Sequence, residues 1–358
     1  MTSQLGNVLV TGGAGFIGST LSRALAPLAT RWIAMDSMHA QVHRSAARPA
    51  GLDPSAQLVI ADVSIAADWD EMLAWFRPDT LIHLAAETGT AQSLSEATRH
   101  AVANVVGTTA MTDAFVRWDA RPTRMILSSS RAVYGEGRWL LDGGGMVSPG
   151  QRVHAQLVRQ SWGVPSASPL ASSYSETPPS PTSVYGATKL AQEHLLKAWC
   201  GAFEVDLTVL RLQNVYGVGQ SLINPYTGIV SLFSQLARRG ESIPLYEDGA
   251  IVRDFVYVDD VVEAFRHALD APSSDVVRGY DIGSGIPTTI AALAAEVAAY
   301  HGAPAPHVTG QFREGDVRAA FCTVDAAARG LNWRPEWDLA RGVAALQEWI
   351  DLESTRTH

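Results

Sequence analysis

Tyr185 and Lys189 form the clearest acid–base pair in the sequence. They are the first and last residues of the run Tyr-Gly-Ala-Thr-Lys. Residues four apart on a helix lie on one face, one turn apart. A lysine cation beside a phenol favours the phenolate and lowers the tyrosine pKa, so Tyr185 becomes a usable base. Ser130 closes a run of three serines after an apolar stretch, and its hydroxyl would orient the same substrate oxygen. Ser130, Tyr185 and Lys189 are therefore the predicted catalytic residues.

Three glycines near the start of the sequence have the spacing of a dinucleotide-binding turn. Gly12, Gly15 and Gly18 follow an apolar run and precede a predicted helix. The first glycine allows a tight turn, the second lets the backbone approach a pyrophosphate, and the third lets the helix pack on the strand. The amide groups and dipole of the helix then face the anion. The motif predicts a bound dinucleotide.

An acidic residue follows at the distance expected for ribose recognition. The apolar run 32–35 ends in Asp36, close to the roughly 20-residue offset of an acid that bonds the adenosine ribose hydroxyls. A carboxylate at this position would repel a 2′-phosphate. The sequence therefore predicts NAD rather than NADP.

Short apolar runs alternate with helical patterns over the first two thirds of the chain. This rhythm predicts an α/β fold, a Rossmann-type doubly wound parallel sheet with helices on both faces. The predicted helices lie near 15–29, 68–76, 96–118 and 183–201, and Ser183 is a plausible cap for the last of them. The predicted strands are Asn7–Thr11, Trp32–Asp36, Gln57–Ala61, Asp79–Leu84, Arg124–Ser129 and Asp206–Arg211.

After residue 212 the alternation of apolar runs and helical patterns becomes irregular. This change predicts a smaller C-terminal substrate-binding domain. We assign residues 1–212 and about 250–272 to the NAD-binding domain, and about 213–249 and 273–358 to the smaller one. Residues 136–181 are rich in Gly, Pro and Ser, with little periodicity. Loops this long are usually lids or disordered, so this segment is a predicted lid or a passive insertion.

Composition narrows the class of protein. The chain has 358 residues, 47% of them hydrophobic, and a net charge of -9, which argues against nucleic acid or an anionic membrane surface as the main partner. No apolar run approaches the ~18 residues of a membrane span, and the first residues do not resemble a secretion signal, so a cytoplasmic location is expected. Cys200 and Cys322 lack metal-ligand spacing and are too few for a disulfide framework. We expect reduced thiols and no metal.

Together these residues resemble the extended short-chain dehydrogenase/reductase family, within it the NAD-dependent nucleotide-sugar epimerases and dehydratases. The resemblance covers nearly the whole chain, from the glycine motif through Ser130 and Tyr185 to the run Arg-Asp-Phe-Val at 253–256. It implies a nucleoside diphosphate sugar as the substrate. It also implies the following cofactor contacts beyond the glycines and Asp36: Phe16, Ile17, Asp62, Val63, Leu84, Ala85, Ala86 and Asn104, with Tyr185 and Lys189 at the nicotinamide end.

The resemblance also implies a set of substrate contacts: Thr90, Arg131, Asn214, Arg253, Arg313 and Asp316. Asn214 would touch the sugar diphosphate, and Arg253, together with Arg313 and Asp316, would hold the diphosphate and the nucleoside ribose. The planar fork of an arginine suits a diphosphate. Arg131 could contact the substrate or pair with a carboxylate such as Glu87.

The residues after the catalytic serine distinguish between reactions. In the 4,6-dehydratases of this family a Thr is usually followed by Asp and Glu, which supply the acid and base for eliminating water. This chain has Arg131 and Ala132 there, and without those carboxylates dehydration is disfavoured. What remains needs only hydride and one proton, which predicts 4-epimerisation through a transient 4-keto intermediate. Several runs are similar to those of dTDP-L-rhamnose 4-epimerase-like enzymes, but they identify neither the sugar nor the base.

Two alternatives remain open. The same three catalytic residues would serve a nucleotide-sugar 4-ketoreductase or dehydrogenase that releases its cofactor. A non-catalytic dinucleotide-sensing protein is the other, although a sensor needs the glycine turn and not the proton-transfer pair. By analogy with the family, a homodimer is expected through the helices predicted near 96–118 and 183–201.

Overall fold

Seven parallel strands form the central sheet of the computed structural model, which describes residues 5–43, 45–222, 228–274 and 276–356. The strand order is β7-β6-β5-β4-β1-β2-β3, and every neighbouring pair is parallel. This confirms the predicted Rossmann-type fold. The strands are β1 Leu5–Thr11, β2 Ala29–Asp36, β3 Ala56–Ile60, β4 Thr80–His83, β5 Arg124–Ser130, β6 Asp206–Leu212 and β7 Arg278–Ile282.

The apolar runs of the strands are buried on both faces of the sheet. In β1, Val8 and Val10 belong to the core on one face, and Leu9 belongs to the core on the other. Alternate residues of a strand point to opposite faces, so a strand covered on both sides must be apolar throughout. The helix Val258–Asp270 contributes Phe265 to the first core, and the second contains Phe115.

The helices around the sheet agree with the prediction within a few residues. Ser183 caps the helix Val184–Phe203 as expected, because its hydroxyl accepts a hydrogen bond from the amide of Gly186 at 3.0 Å. Among the described residues, no helix is long and apolar enough to cross a membrane. The helical segments on the sheet are Phe16–Leu25, Ala26–Leu28, Ala66–Leu73, Gln92–Ser95, Ala97–Ala101, Val102–Val106, Gly107–Arg117, Arg131–Tyr134, Val184–Phe203 and Val258–Asp270.

A third core holds the smaller C-terminal unit together. It contains Phe233, Leu293 and Leu346, one from each of three helices. Those helices are Ile229–Arg238, Ile290–His301 and Leu339–Arg356. Short strands complete the unit: Asn214–Tyr216 beside Phe255–Tyr257, Pro244–Leu245 beside His307–Val308, and Val252–Arg253 between Thr288–Thr289 and Ala319–Ala320.

One part of the predicted domain division is wrong. The strand β7 pairs with β6 in the central sheet, and the helix Asp325–Gly330 contributes Ala327 to the first core. Parts of 273–358 therefore belong to the first unit and not to the smaller one. The run Arg-Gly-Tyr-Asp-Ile of β7 lacks the continuous apolar pattern of the other strands, and for that reason the sequence did not mark it.

The segment 136–181 is a folded insertion. It forms a three-stranded antiparallel sheet, Trp139–Leu141 with Met146–Val147 and Ala167–Pro169, and a helix, His154–Val158. The buried guanidinium of Arg152 pairs with Glu136 at 3.2 Å and with Glu247 at 2.8 Å, and it donates to the carbonyl oxygen of Asp316 at 2.8 Å. The bonds to Glu247 and Asp316 fasten the insertion to the smaller unit. Its action as a lid stays a prediction.

Candidate active site

A cavity of about 520 Å³ lies at the carboxyl ends of the central strands. It includes the crevice between β1 and β4, where the strand order reverses, which is where ligands bind in open α/β sheets. Most of the residues predicted from the sequence line it: Gly12, Gly15, Phe16, Ile17, Gly18, Asp36, Asp62, Val63, Leu84, Ala85, Ala86, Thr90, Ser130, Arg131, Tyr185, Lys189 and Asn214.

Gly12 and Gly18 leave no room for a side chain. Gly12 has a φ of +65°, and a Cβ atom there would lie 2.8 Å from the amide nitrogen of Ala85. At Gly18 a Cβ atom would lie 2.7 Å from the carbonyl oxygen of Gly12. The helix Phe16–Leu25 begins directly after this turn, so its free amide groups face the cavity. This backbone cradle fits the pyrophosphate of NAD.

Asp36 ends β2 beside the same cradle. One carboxylate oxygen accepts from the amide of Met38 at 2.9 Å and the other from the amide of Ala14 at 3.1 Å. His43 Nε2 lies 3.6 Å from the first oxygen. The backbone therefore holds the negative charge in place at the cavity wall, where it favours NAD over a 2′-phosphorylated cofactor.

The predicted catalytic residues are brought together by a close approach of two turns. Tyr185 lies on the first turn of the helix Val184–Phe203, and Ser130 ends β5. A Cβ atom at Gly186 would collide with the carbonyl oxygen of Ala132, so only glycine allows this helix to lie against the turn that follows β5. The result is one cluster of Ser130, Tyr185 and Lys189 on the cavity wall.

The electrostatics of this cluster differ from the sequence expectation. Burial raises the pKa of Tyr185, and a hydrogen bond to Ser130 and the charge of Arg131 act against that rise. Burial lowers the pKa of Lys189 to about 7, opposed by the charge of Glu193. The ammonium of Lys189, expected to favour the phenolate, donates instead to Gln192 Oε1 at 2.5 Å.

His83 lies behind this cluster in the core. Its Nδ1 pairs with Thr11 Oγ1 at 2.7 Å and its Nε2 with Thr108 Oγ1 at 3.1 Å. Burial, with the charge of Lys189, lowers the pKa of His83 to about 3. The ring is therefore neutral near pH 7, and it supports the wall of the cavity instead of exchanging protons.

Four of the predicted substrate residues lie near one another. Arg131 Nε donates to Asn214 Oδ1 at 2.7 Å, and Arg253 donates to Asp316 Oδ1 at 2.5 Å. Burial and the neighbouring charge of Arg253 lower the pKa of Arg131 to about 9, against the opposite effect of Asp316. Two guanidinium groups so close together suit a ligand with more than one negative charge.

Comparison with known proteins agrees with this geometry. A model of the NAD dependent epimerase/dehydratase family matches residues 8–283. The chain belongs to this family. It is 53% identical over 349 residues to a dTDP-L-rhamnose 4-epimerase of Burkholderia thailandensis, covering 98% of this chain and 96% of the relative. A UDP-glucose 4-epimerase of Mycolicibacterium smegmatis is 30% identical, covering 97% of this chain and 99% of the relative.

Solved structures of similar proteins have the same fold. A UDP-glucose 4-epimerase of Thermotoga maritima, solved with UDP-glucose, has a TM-score of 0.79 at 27% identity, covering 97% of this chain and 99% of that one. MoeE5, solved with UDP-glucuronic acid and NAD, has a TM-score of 0.74 at 27% identity and the same two coverages. The predicted NAD cofactor and the predicted nucleotide-sugar 4-epimerase activity are thereby confirmed.

Four residues that the resemblance implied do not line the cavity: Asn104, Arg253, Arg313 and Asp316. Asn104 is buried, and its amide bonds the backbone of Glu87 and the hydroxyl of Thr188. The implied direct cofactor contact of Asn104 therefore stays a prediction; in this structure the residue positions Glu87. Arg313 is exposed, with its guanidinium 4.8 Å from the ring centre of Tyr246.

Sequence reasoning missed several cavity residues. Glu87, Thr88 and Gly89 line it directly after the predicted contacts Ala85 and Ala86, and their place after β4 was the available signal. Glu87 pairs with Arg99 at 2.8 Å, so the suggested pairing of Glu87 with Arg131 is wrong. Gln213 also lines the cavity, and no local pattern marked it.

Proposed function

We propose that this epimerase acts on dTDP-L-rhamnose and inverts its C4 carbon. The 53% identity to the Burkholderia enzyme over nearly the whole chain supports this substrate. The observation that carries the reaction type is the cluster of Ser130, Tyr185 and Lys189 beside Arg131 and Ala132, where an elimination would need carboxylates. The cavity at the carboxyl ends of the strands has room for ligand atoms next to that cluster.

In this proposal Tyr185 is the base and the acid. Its phenolate takes the proton of the C4 hydroxyl as C4 is oxidised to a ketone, and the phenol returns a proton to that oxygen when the ketone is reduced from its other face. Ser130 donates a hydrogen bond to the same oxygen. When bound, NAD supplies the hydride acceptor and donor that this chemistry needs. Between the two half-reactions the keto sugar rotates and presents its other face. The pocket must therefore grip the nucleotide more firmly than the sugar.

The residues around the cluster supply that grip. Arg253 and Asp316 bond each other near Arg131 and do not line the cavity in this structure; once the nucleotide binds, they would hold the diphosphate and ribose, with Asn214 at the phosphate next to the sugar. Gln213 has a buried side-chain oxygen with no hydrogen-bond partner among the described residues. A buried acceptor of this kind is costly unless a donor reaches it, and a sugar hydroxyl is a suitable donor.

The test is an incubation of the purified protein with dTDP-L-rhamnose, UDP-glucose or UDP-glucuronic acid, without added cofactor, in deuterated water. Proton NMR is expected to show the C4 epimer of dTDP-L-rhamnose forming fastest, with no deuterium in the sugar. Faster turnover of a UDP-sugar would contradict the proposed substrate. Deuterium at C3 or C5 would indicate enolisation and contradict the mechanism. A need for added NADH would also contradict it and would favour the ketoreductase alternative.

We also propose that the protein is a homodimer. The helices near 96–118 and 183–201 are the expected interface, and the first carries exposed apolar side chains, with Val102 41% and Val106 46% exposed. Paired subunits would cover them. Light scattering is expected to give twice the chain mass, and Val106→Glu is expected to shift the protein toward monomer. A monomeric wild-type protein at micromolar concentration would contradict the proposal.

A cytoplasmic location is the last part of the proposal. Cys200 and Cys322 are both buried free thiols, which suits a reducing compartment. Fractionation of the source cells is expected to recover the protein with cytoplasmic markers.

A further inference from the structure

Arg131 is a cavity residue whose charge has no carboxylate partner among the described residues. It opens the turn Arg131–Tyr134, directly after Ser130. Its Nε donates to Asn214 Oδ1 at 2.7 Å, and neither terminal nitrogen has a hydrogen-bond partner within the described part of the chain. The nearest candidate carboxylates are occupied, since Asp316 pairs with Arg253 and Glu136 with Arg152.

The turn that carries Arg131 is packed against the turn that carries Tyr185. The contact between Gly186 and the carbonyl of Ala132 fixes this packing, and Asn214 fixes the direction of the guanidinium. Lys189, one helical turn beyond Tyr185, donates to Gln192. A guanidinium with no carboxylate partner in the described part of the chain therefore shares the cavity wall with the proposed base.

We propose that Arg131 is a positioning residue that acts through Tyr185, as the cation that keeps its phenolate accessible for proton abstraction. The inference rests on the proposed role of Tyr185 as the base. A cation near an anion favours the ionised form. Arg131 thus takes over part of the role that was predicted for Lys189 alone, and Asn214 holds the guanidinium in place.

The pKa shifts of both partners agree with this geometry. The charge of Arg131 acts against the rise that burial imposes on the pKa of Tyr185, and the charge of Tyr185 in turn raises the pKa of Arg131. Removing the guanidinium should therefore move the Tyr185 pKa upward. The groups that face this pair are Ser130, Lys189, Glu136, Arg253 and Asp316.

The test compares Arg131→Gln and Arg131→Lys with the wild-type holoenzyme over a range of pH, using the nucleotide sugar that the wild type turns over. The phenolate is the active form, so the acidic limb of kcat for Arg131→Gln should move up by about one pH unit or more. The loss is then about tenfold near neutral pH and recovers on the alkaline side. Arg131→Lys keeps the charge and should keep the limb close to its wild-type position.

A second readout does not need turnover. The ultraviolet absorbance of tyrosinate in each protein, minus that of the same protein carrying Tyr185→Phe, follows the ionisation of Tyr185 alone. The pH midpoint of this tyrosinate titration should be higher in Arg131→Gln, by the same amount as the shift of the acidic limb of kcat. A wrong substrate assignment would leave this titration unaffected, so it separates failure of the inference from failure of the proposed function.

The controls address the neighbouring cations. The pKa of Lys189 is about 7, but loss of its proton with rising pH would produce a basic limb, opposite in sign to the acidic limb of Tyr185. Arg239→Gln is the control for loss of a cation elsewhere: Arg239 is exposed and pairs with Glu241, so its loss should leave the acidic limb in place. An equal fall of kcat at every pH in Arg131→Gln, with an unmoved tyrosinate midpoint, would overturn the proposal.

Discussion

Replacing Tyr185 by phenylalanine is expected to lower kcat about 10³-fold while the protein stays folded and keeps its NAD. The substitution removes only the hydroxyl that exchanges the proton with the C4 oxygen. The ring keeps its place on the first turn of the helix. That turn is fixed by the close contact at Gly186 and by the hydrogen bond that the backbone amide of Tyr185 donates to Ser93 Oγ. The measurement is the rate of C4 inversion by NMR, beside the thermal midpoint and the NAD content of the purified variant.

Tyr300→Phe is the matched control for this experiment. Tyr300 lies on the helix Ile290–His301 of the smaller unit and is 42% exposed, so kcat should not change. If Tyr185→Phe kept activity within tenfold of the wild type, the proposed base would be another group. A variant that lost activity together with its thermal transition would show a structural role instead.

Replacing Arg211 by methionine should lower the free energy of unfolding by about 3–5 kcal/mol, because it leaves buried carboxylates without their cation. Arg211 in β6 is 3% exposed and bonds Glu193 through two nitrogens, at 2.9 and 2.6 Å. Its guanidinium also stacks between Tyr134 and Tyr174, 4.7 and 4.3 Å from their ring centres. Urea denaturation of the variant measures the loss.

The loss should grow with pH. Burial raises the pKa of Asp281 to about 7, and a hydrogen bond from Tyr134 and the charge of Arg211 restrain that rise. Without Arg211 the pKa rises further, so the folded state holds the proton more tightly than the unfolded chain. Stability then falls as the pH rises toward the folded pKa, and the loss is greater near pH 8 than near pH 6.

Two variants serve as controls for Arg211→Met. The double variant Arg211→Met with Glu193→Leu should recover much of the stability, because it removes the unpaired charge as well. Arg117→Met breaks an ion pair of similar length, 2.6 Å to Asp70, but these side chains are 44% and 40% exposed. It should change stability little. Equal losses in Arg211→Met and Arg117→Met would contradict the argument.

The sequence by itself determined the nucleotide-binding half of the fold and the class of reaction. The glycine turn, the apolar strands and the spacing of Tyr185 and Lys189 depend on residues close together in the chain. Backbone conformation and side-chain periodicity are local properties, so their patterns can be recognised in the sequence without the structure. The six predicted strands and the capped helix Val184–Phe203 are found within a few residues of their expected places.

Only the tertiary structure decided which charged and polar groups meet. Strand β7 carries a buried Asp281 that is tolerated because Tyr134, 147 residues away in the chain, and the amide of Tyr174 satisfy its oxygens. Arg131 meets Asn214 rather than Glu87, and Arg152 joins the insertion to Glu247. Each of these contacts offsets the cost of burying a charge with a partner from a distant segment. Such pairings depend on where the folded segments come together, and no local pattern encodes that.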